Sequence, residues 1–260
     1  MSRRFKEILA KNELCHVFQC GRIASPPLID LYGFAGGFDG FWFDQEHCGL
    51  SYKDMEMAAL AARANGMDCI VRMAPTSYNV VTQAFEAGCG GVMAARIESV
   101  AQAEEFVQWS KFAPRGSRGM NTSGYDAKYT HLQQLEFAEK ANKETFVAIQ
   151  IEMLGALNDC DAIAALKDVD LLFIGPADLS QSLGVQGQRN HPKVWEGIEA
   201  VANACKKHGK HWGVVPLDPA YAERCYDLGC RMITFGNDVG ALRMGIAAVK
   251  TNYAKSFGAP

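Results

Sequence analysis

The chain has 260 residues, a formal net charge of −3, 48% hydrophobic and 21% charged residues, which suits one α/β barrel or two small domains of an ordinary soluble protein. There is no basic block to favour nucleic acid, no apolar run approaching the ~20 residues that cross a bilayer, and no signal-peptide core after the basic start at Arg3-Arg4. Nine cysteines without C-x-x-C spacing, several of them (Cys15, Cys69, Cys89) in or beside apolar runs, read as reduced core thiols of a cytoplasmic protein.

After a charged amphipathic helix pattern at the start, short apolar runs recur at 15–18, 40–43, 69–72, 91–94, 146–151, 171–174, 212–216 and 232–235. They do not alternate, as expected of parallel strands covered on both faces. Helical patterns occupy most gaps: 52–65, 78–87, 100–112, 132–141, 192–208, 219–227 and 240–253. Ser51 and Asp218 are N-cap candidates, and Gly66, Gly88, Gly209 and Gly229 stand where helices should stop. Eight strand–helix units predict a single-domain (β/α)8 TIM barrel over 1–260, ahead of an open doubly wound sheet. Segments 114–130 and 182–192 break the rhythm as loops, and loops after barrel strands commonly shape a site.

Functional residues of such barrels come from the carboxyl ends of the strands. Those ends carry Asp44-Gln45-Glu46-His47, Arg72, Gln150-Ile151-Glu152, Gly175-Pro176-Ala177-Asp178, Asp218 and Asn237-Asp238. Glu152 and Asp178 each close an apolar run with a carboxylate. Two oxygen ligands leave most of an octahedral shell for water and substrate, which suits catalytic Mg²⁺ or Mn²⁺; both could instead be helix N-caps, for which Asp is suited and Glu is not. His47 is a candidate base, with Asp44 and Glu46 near enough to orient it, or a loop histidine beside a solvated acid. Arg72 could bind a carboxylate, stabilise an oxyanion, or pair with one of these acids. Backbone N–H groups of the Gly-Pro-Ala-Asp turn could hold an anion. No lysine stands at these ends, so carbonyl activation falls to a metal rather than a Schiff base.

These residues, read together, resemble a known family. Phe38-Asp39, Asp44-Gln45-Glu46-His47, Arg72, Pro114-Arg115-Gly116-Ser117-Arg118-Gly119, Gln150-Ile151-Glu152 and Ile174-Gly175-Pro176-Ala177-Asp178-Leu179-Ser180 occur in order, similar to the HpcH/HpaI aldolases, the class II pyruvate aldolases. The resemblance spans almost the whole chain. It implies a hexameric barrel with C-terminal helices exchanged between subunits and a divalent metal (Mg²⁺ or Mn²⁺, with Co²⁺ also usable) on Glu152 and Asp178. It further implies Arg72 at the pyruvate keto oxygen, Gln150 supporting the metal shell, and Gly175, Ala177 and Asp178 N–H groups on the pyruvate carboxylate. His47 would move the proton. Some members pair this histidine with a neighbouring subunit's aspartate, and the matching position here is Glu86.

The implied activity is reversible cleavage of a 4-hydroxy-2-oxo acid to pyruvate and an aldehyde, with oxaloacetate decarboxylation as a side reaction. The chain departs from the family at Ala95-Arg96, where many members carry Pro-Met. Arg96 could favour an acidic or polyhydroxylated aldehyde, or form a surface salt bridge. Segment 212–218 is also unlike common members and is expected to meet the aldehyde tail. The alternatives are a citryl- or malyl-CoA lyase relative, for which no CoA feature is evident, and a barrel that binds a keto acid without turning it over.

Overall fold

The computed structural model describes residues 4–258. In chain order the elements are α1 (Phe5–Ala10), β1 (Cys15–Cys20), α2 (Pro26–Ala35), β2 (Gly40–Asp44), α3 (Tyr52–Ala64), β3 (Asp68–Met73), α4 (Tyr78–Glu86), β4 (Gly91–Ala94), α5 (Val100–Ser110), α6 (Gln134–Glu144), β5 (Phe146–Ile151), α7 (Leu154–Asn158), α8 (Cys160–Ala165), β6 (Leu171–Ile174), α9 (Pro176–Ser182), α10 (Pro192–His208), β7 (His211–Val214), α11 (Pro219–Asp227), β8 (Met232–Asn237) and α12 (Asp238–Asn252). Each strand pairs in parallel with the next, and β8 returns to β1 to close an eight-stranded barrel.

The two-residue period of the strands separates the barrel interior into layers. Val17, Trp42, Ile70, Met93, Ala148 and Phe173 fill the lower interior with an apolar cluster. α1 seals its amino-terminal end with Phe5, Ile8 and Leu9. Two residues further along the same strands the chain places Gln19, Asp44, Arg72, Ala95, Gln150 and Gly175. The polar layer is therefore a consequence of strand register, and Asp44 stands directly across from Arg72 in the β2–β3 pairing. The alternate residues of each strand pack outward against the helices, in a cluster that includes Phe41, Val71, Val92, Val147 and Leu172.

The helix boundaries follow from local chemistry. Ser51 accepts from the Asp54 N–H in a reciprocal capping box, and Asp218 accepts from the Tyr221 N–H. Gly66, Gly88, Gly209 and Gly229 all take positive φ, where a side chain would be strained.

The structure corrects several boundaries. α2 was not expected: Pro26-Pro27 and the internal Gly33 mask its periodicity, and it buries only Ile29 while Phe34 stays exposed. β7 stops at Val214 rather than at Pro216, because a proline cannot donate to the ladder. The helix expected over 132–141 is displaced to α6, and α9 fills the start of the stretch before the 182–192 loop. The terminal helix starts at Asp238, two residues early, capped by the Asn237 side chain. Its residues 241–250 are all exposed, including Leu242, Met244, Ile246 and Val249. Among the described residues no helix is long and apolar enough to cross a membrane.

Candidate active site

Arg72 is the hub of the polar layer. Its Nη2 donates to Asp44 Oδ2 at 2.7 Å and its Nε to Asp44 Oδ1 at 3.2 Å, a two-pronged pairing that holds the guanidinium plane. Nη1 stands 3.2 Å from Glu46 Oε2, and the guanidinium carbon lies 4.6 Å from the Trp42 ring centroid below. Gln19 Nε2 donates to Asp44 Oδ2 at 3.2 Å. Burial would raise the Asp44 pKa, but the Arg72 hydrogen bonds and charge, with the His47 N–H, outweigh it and hold the carboxyl below its ordinary value. The salt-bridge reading of Arg72 is therefore correct.

Glu152 lies just past β5 and is 2% exposed. Its Oε1 accepts from the Arg96 N–H at 2.8 Å and its Oε2 from Gln150 Nε2 at 2.5 Å. Its backbone carbonyl accepts from Ser182 Oγ at 2.8 Å, tying the strand end to α9. Burial pushes its pKa up to about 7; the Arg96 N–H opposes this, Glu46 and Asp178 add to it, and Arg72 offsets part. It is an acid whose charge the folded chain alone leaves poorly compensated. Gly175 fits close beside it: a Cβ there would stand 2.7 Å from Glu152 Oε2 and 2.6 Å from Gln150 Nε2. Gln150 Oε1 is buried without a hydrogen-bond partner.

The N-cap alternative fails for both acids. Asp178 is the third residue of α9, whose N-cap is Gly175 and whose first turn receives no side-chain cap. Glu152 is engaged by Arg96 and Gln150 instead. Among the described residues no three His, Cys, Asp or Glu side chains gather as a metal-binding group.

His47 sits in the loop after β2, with its side chain 61% exposed and Nε2 3.7 Å from Glu46 Oε2. Asp44 Oδ1 accepts from the backbone N–H groups of Glu46 and His47, so Asp44 orients the loop rather than the imidazole. Ala177 is exposed and Asp178 half-buried at the start of α9. Glu86 ends α4, at the pole where the strands begin. It has no contact with the Arg72–Asp44–Glu46 network described above.

Arg96 has φ +55°, a conformation that costs a residue with a Cβ on the order of 1 kcal/mol. That turn aims its N–H at Glu152 while the side chain stays exposed. The expectation that Arg96 favours an acidic aldehyde predicts that Arg96→Gly, which keeps the N–H to Glu152, lowers kcat/KM for acidic aldehydes relative to neutral ones. Steady-state comparison of the two aldehyde classes checks this; an unchanged ratio would remove Arg96 from substrate recognition.

Sequence reasoning missed Gln19, which carries no motif, and Lys111. Lys111 is a buried lysine whose pKa burial lowers to about 8. Its Nζ donates to Thr145 and Asn142 oxygens where β5 begins, at the wrong pole for a Schiff base here.

Residues 25–244 match the family described as HpcH/HpaI aldolase/citrate lyase. The chain belongs to the HpcH/HpaI aldolase/citrate lyase family. Within it, the chain is 30% identical to a hydroxypyruvate/pyruvate aldolase of Cupriavidus necator over 84% of this chain and 80% of the relative. It is 27% identical to a 5-keto-4-deoxy-D-glucarate aldolase of Klebsiella pneumoniae, over 92% of each. An HpcH/HpaI aldolase structure from Desulfitobacterium hafniense superposes with a TM-score of 0.87 at 28% identity, covering 95% of this chain and 96% of the other.

Proposed function

We propose that the protein is a metal-dependent carbon–carbon lyase that reversibly cleaves a 4-hydroxy-2-oxo acid to pyruvate and an aldehyde. The observation that carries this reading is Glu152: a buried carboxylate, raised to about 7, beside a buried arginine and an amide oxygen with no partner. An oxygen donor set of this kind fits a hard divalent cation. Glu152 and Asp178 would hold Mg²⁺ or Mn²⁺, with Co²⁺ as a substitute, and the ion would supply positive charge to stabilise an enolate oxygen.

The chain's own groups do the rest. Arg72, fixed by Asp44 and Glu46, presents a preorganised cation toward the keto oxygen as negative charge develops there. Gln150 Oε1 accepts from a water or hydroxyl in the shell. The N–H groups of Gly175, Ala177 and Asp178, uncapped by any side chain, orient the pyruvate carboxylate. His47 takes part in proton transfer, at the pyruvate methyl carbon as at the aldehyde hydroxyl, with solvent access through its exposed edge. Arg96 and residues 215–218, which follow the end of β7, select the aldehyde; Trp212 and Val214 of the expected segment are buried in the helix-facing core instead. Oxaloacetate decarboxylation follows from the same enolate. The named relatives support this branch over CoA-lyase chemistry. Coupling pyruvate release from 4-hydroxy-2-oxo acids to lactate dehydrogenase tests it: activity should vanish in EDTA and return with Mn²⁺, and activity that is indifferent to EDTA would contradict it.

We further propose a homo-oligomer, a hexamer as in the resembling enzymes, with α12 docked on a neighbouring subunit and Glu86 at a neighbour's site. α12 supports this by leaving Leu242, Met244, Ile246, Val249 and Tyr253 each more than half exposed, a larger apolar surface than a free helix keeps in water. Deleting residues 239–260 is expected to reduce the native mass to a smaller species and to lower turnover; analytical ultracentrifugation checks it, and an unchanged mass would contradict it. Eight of the nine cysteines are buried, which supports a cytoplasmic location.

A further inference from the structure

Asp238 stands at a strand end, yet the chemistry above leaves it without a role. It is 6% exposed and opens α12. Its Oδ2 accepts from two backbone N–H groups of the loop after β1: Gly21 at 2.9 Å and Ile23 at 2.7 Å. The residue between them is Arg22, an exposed side chain whose Nη2 donates to the His47 backbone carbonyl at 2.7 Å. The two loops are pressed together, since a Cβ on Gly21 would stand 2.6 Å from Cys48 Sγ. Cys48 Sγ in turn donates to Asp44 Oδ2 at 3.6 Å.

His47 is thus gripped through both its backbone N–H and its carbonyl. Asp44 Oδ1 accepts the N–H at 3.3 Å, and Arg22 donates to the carbonyl. The first grip comes from the polar layer of the barrel. The second reaches back through Gly21 and Ile23 to the first residue of α12. An exposed imidazole has little packing to fix it, so its backbone anchors decide where it points.

We infer that Arg22 is a positioning residue for His47, and that Asp238 holds Arg22 in place, so that the root of the C-terminal helix sets the geometry of the proton-transfer group. This rests on the proton-transfer reading of His47. It also gives α12 a second role, because whatever fixes this helix, a neighbouring subunit included, steadies the active-site loop through one buried carboxylate.

The test uses full-length, Mn²⁺-loaded protein and reads the rate of pyruvate methyl-proton exchange in D₂O. Arg22→Gln is expected to lower kcat by about tenfold, in the range that displacing a reacting group produces, with KM for pyruvate unchanged. Arg22→Lys, which keeps a donor, should recover part of the loss. Asp238→Ala should lower kcat similarly, and the double variant should be no slower than the slower single one, as expected of residues acting in series. Wild-type kcat in Arg22→Gln, alongside loss of exchange in His47→Ala, would overturn the positioning role and leave His47's own role intact. Additive losses would overturn the link to Asp238. If His47→Ala exchanges at the wild-type rate, the reading of His47 itself fails and this inference with it.

Discussion

Replacing Arg72 with lysine is expected to lower kcat for pyruvate enolisation by about 10²- to 10³-fold in a protein that still folds, the loss typical of removing one preorganised donor at a developing oxyanion. A lysine keeps the charge but not the fork. It cannot bind both Asp44 oxygens, reach Glu46 and lie over Trp42 together, as Arg72 does. Arg72→Met is the harsher change, because Asp44 and Glu46 would remain buried without a cation; destabilisation of ~3–5 kcal/mol follows for breaking such a pair from one side. Its pH dependence should also invert. In the wild type the depressed Asp44 pKa contributes stability that is present above the unfolded value near 3.8 and is lost as pH falls through the folded value. Without Arg72, burial is opposed only weakly, and stability should fall as pH rises. Urea unfolding of both variants across pH, with exchange rates, checks this; wild-type turnover in Arg72→Lys would contradict the oxyanion role.

Glu152→Gln is expected to separate metal binding from folding. The folded pKa of Glu152, about 7, lies above its ordinary 4.5. A raised carboxyl pKa contributes stability that is fully present below the unfolded value and is lost as pH rises through the folded one. In EDTA the wild type should therefore lose on the order of 3 kcal/mol between pH 4.5 and 8 from this group, the equivalent of a shift from 4.5 to about 7. Glu152→Gln, which has no charge to bury, should not show that loss. Mn²⁺ reverses the comparison: it competes with the proton, so it should raise the wild-type Tm more at pH 8 than at pH 6, and raise that of Glu152→Gln little at either. Thermal unfolding of both proteins in EDTA at pH 4.5 and 8, and in Mn²⁺ at pH 6 and 8, checks these expectations. A Mn²⁺ response equal to wild type in Glu152→Gln would remove Glu152 from the metal site.

What the sequence allowed to be read, and what it did not, divides along physical lines. Buried parallel strands have no solvent face, so uninterrupted apolar runs marked β2 to β6 nearly to the residue, and the acid or arginine that ended several of these runs marked the polar layer above. α10 and α11 were equally clear, being bounded by proline at one end and by a glycine just beyond the other. α2 was invisible because Pro26-Pro27 and Gly33 interrupt its pattern and because Leu31 and Phe34 face outward, which blurs the short stripe of Leu28, Ile29 and Tyr32 that packs on the barrel. The site was readable as a set of strand ends but not as a network. That Arg72 would spend two donors on Asp44 follows from the Asp44–Arg72 register, which no local pattern encodes. That Arg96 would serve Glu152 through its backbone follows from a left-handed turn at a residue that seldom adopts one. Gln19 and Arg22 lie at the end of β1 and Asp238 at the start of α12, more than 200 residues on, and only barrel closure between β8 and β1 brings Asp238 to Gly21.

The most direct measurement is pyruvate methyl-proton exchange in D₂O, followed by NMR, for the wild type with Mn²⁺, the wild type with EDTA, and Glu152→Ala with Mn²⁺. Exchange in the first sample, and none in the other two from folded protein, is the predicted result. No exchange from folded, Mn²⁺-loaded wild type, or exchange that survives both EDTA and the loss of Glu152, would contradict a metal-dependent pyruvate enolate at this site.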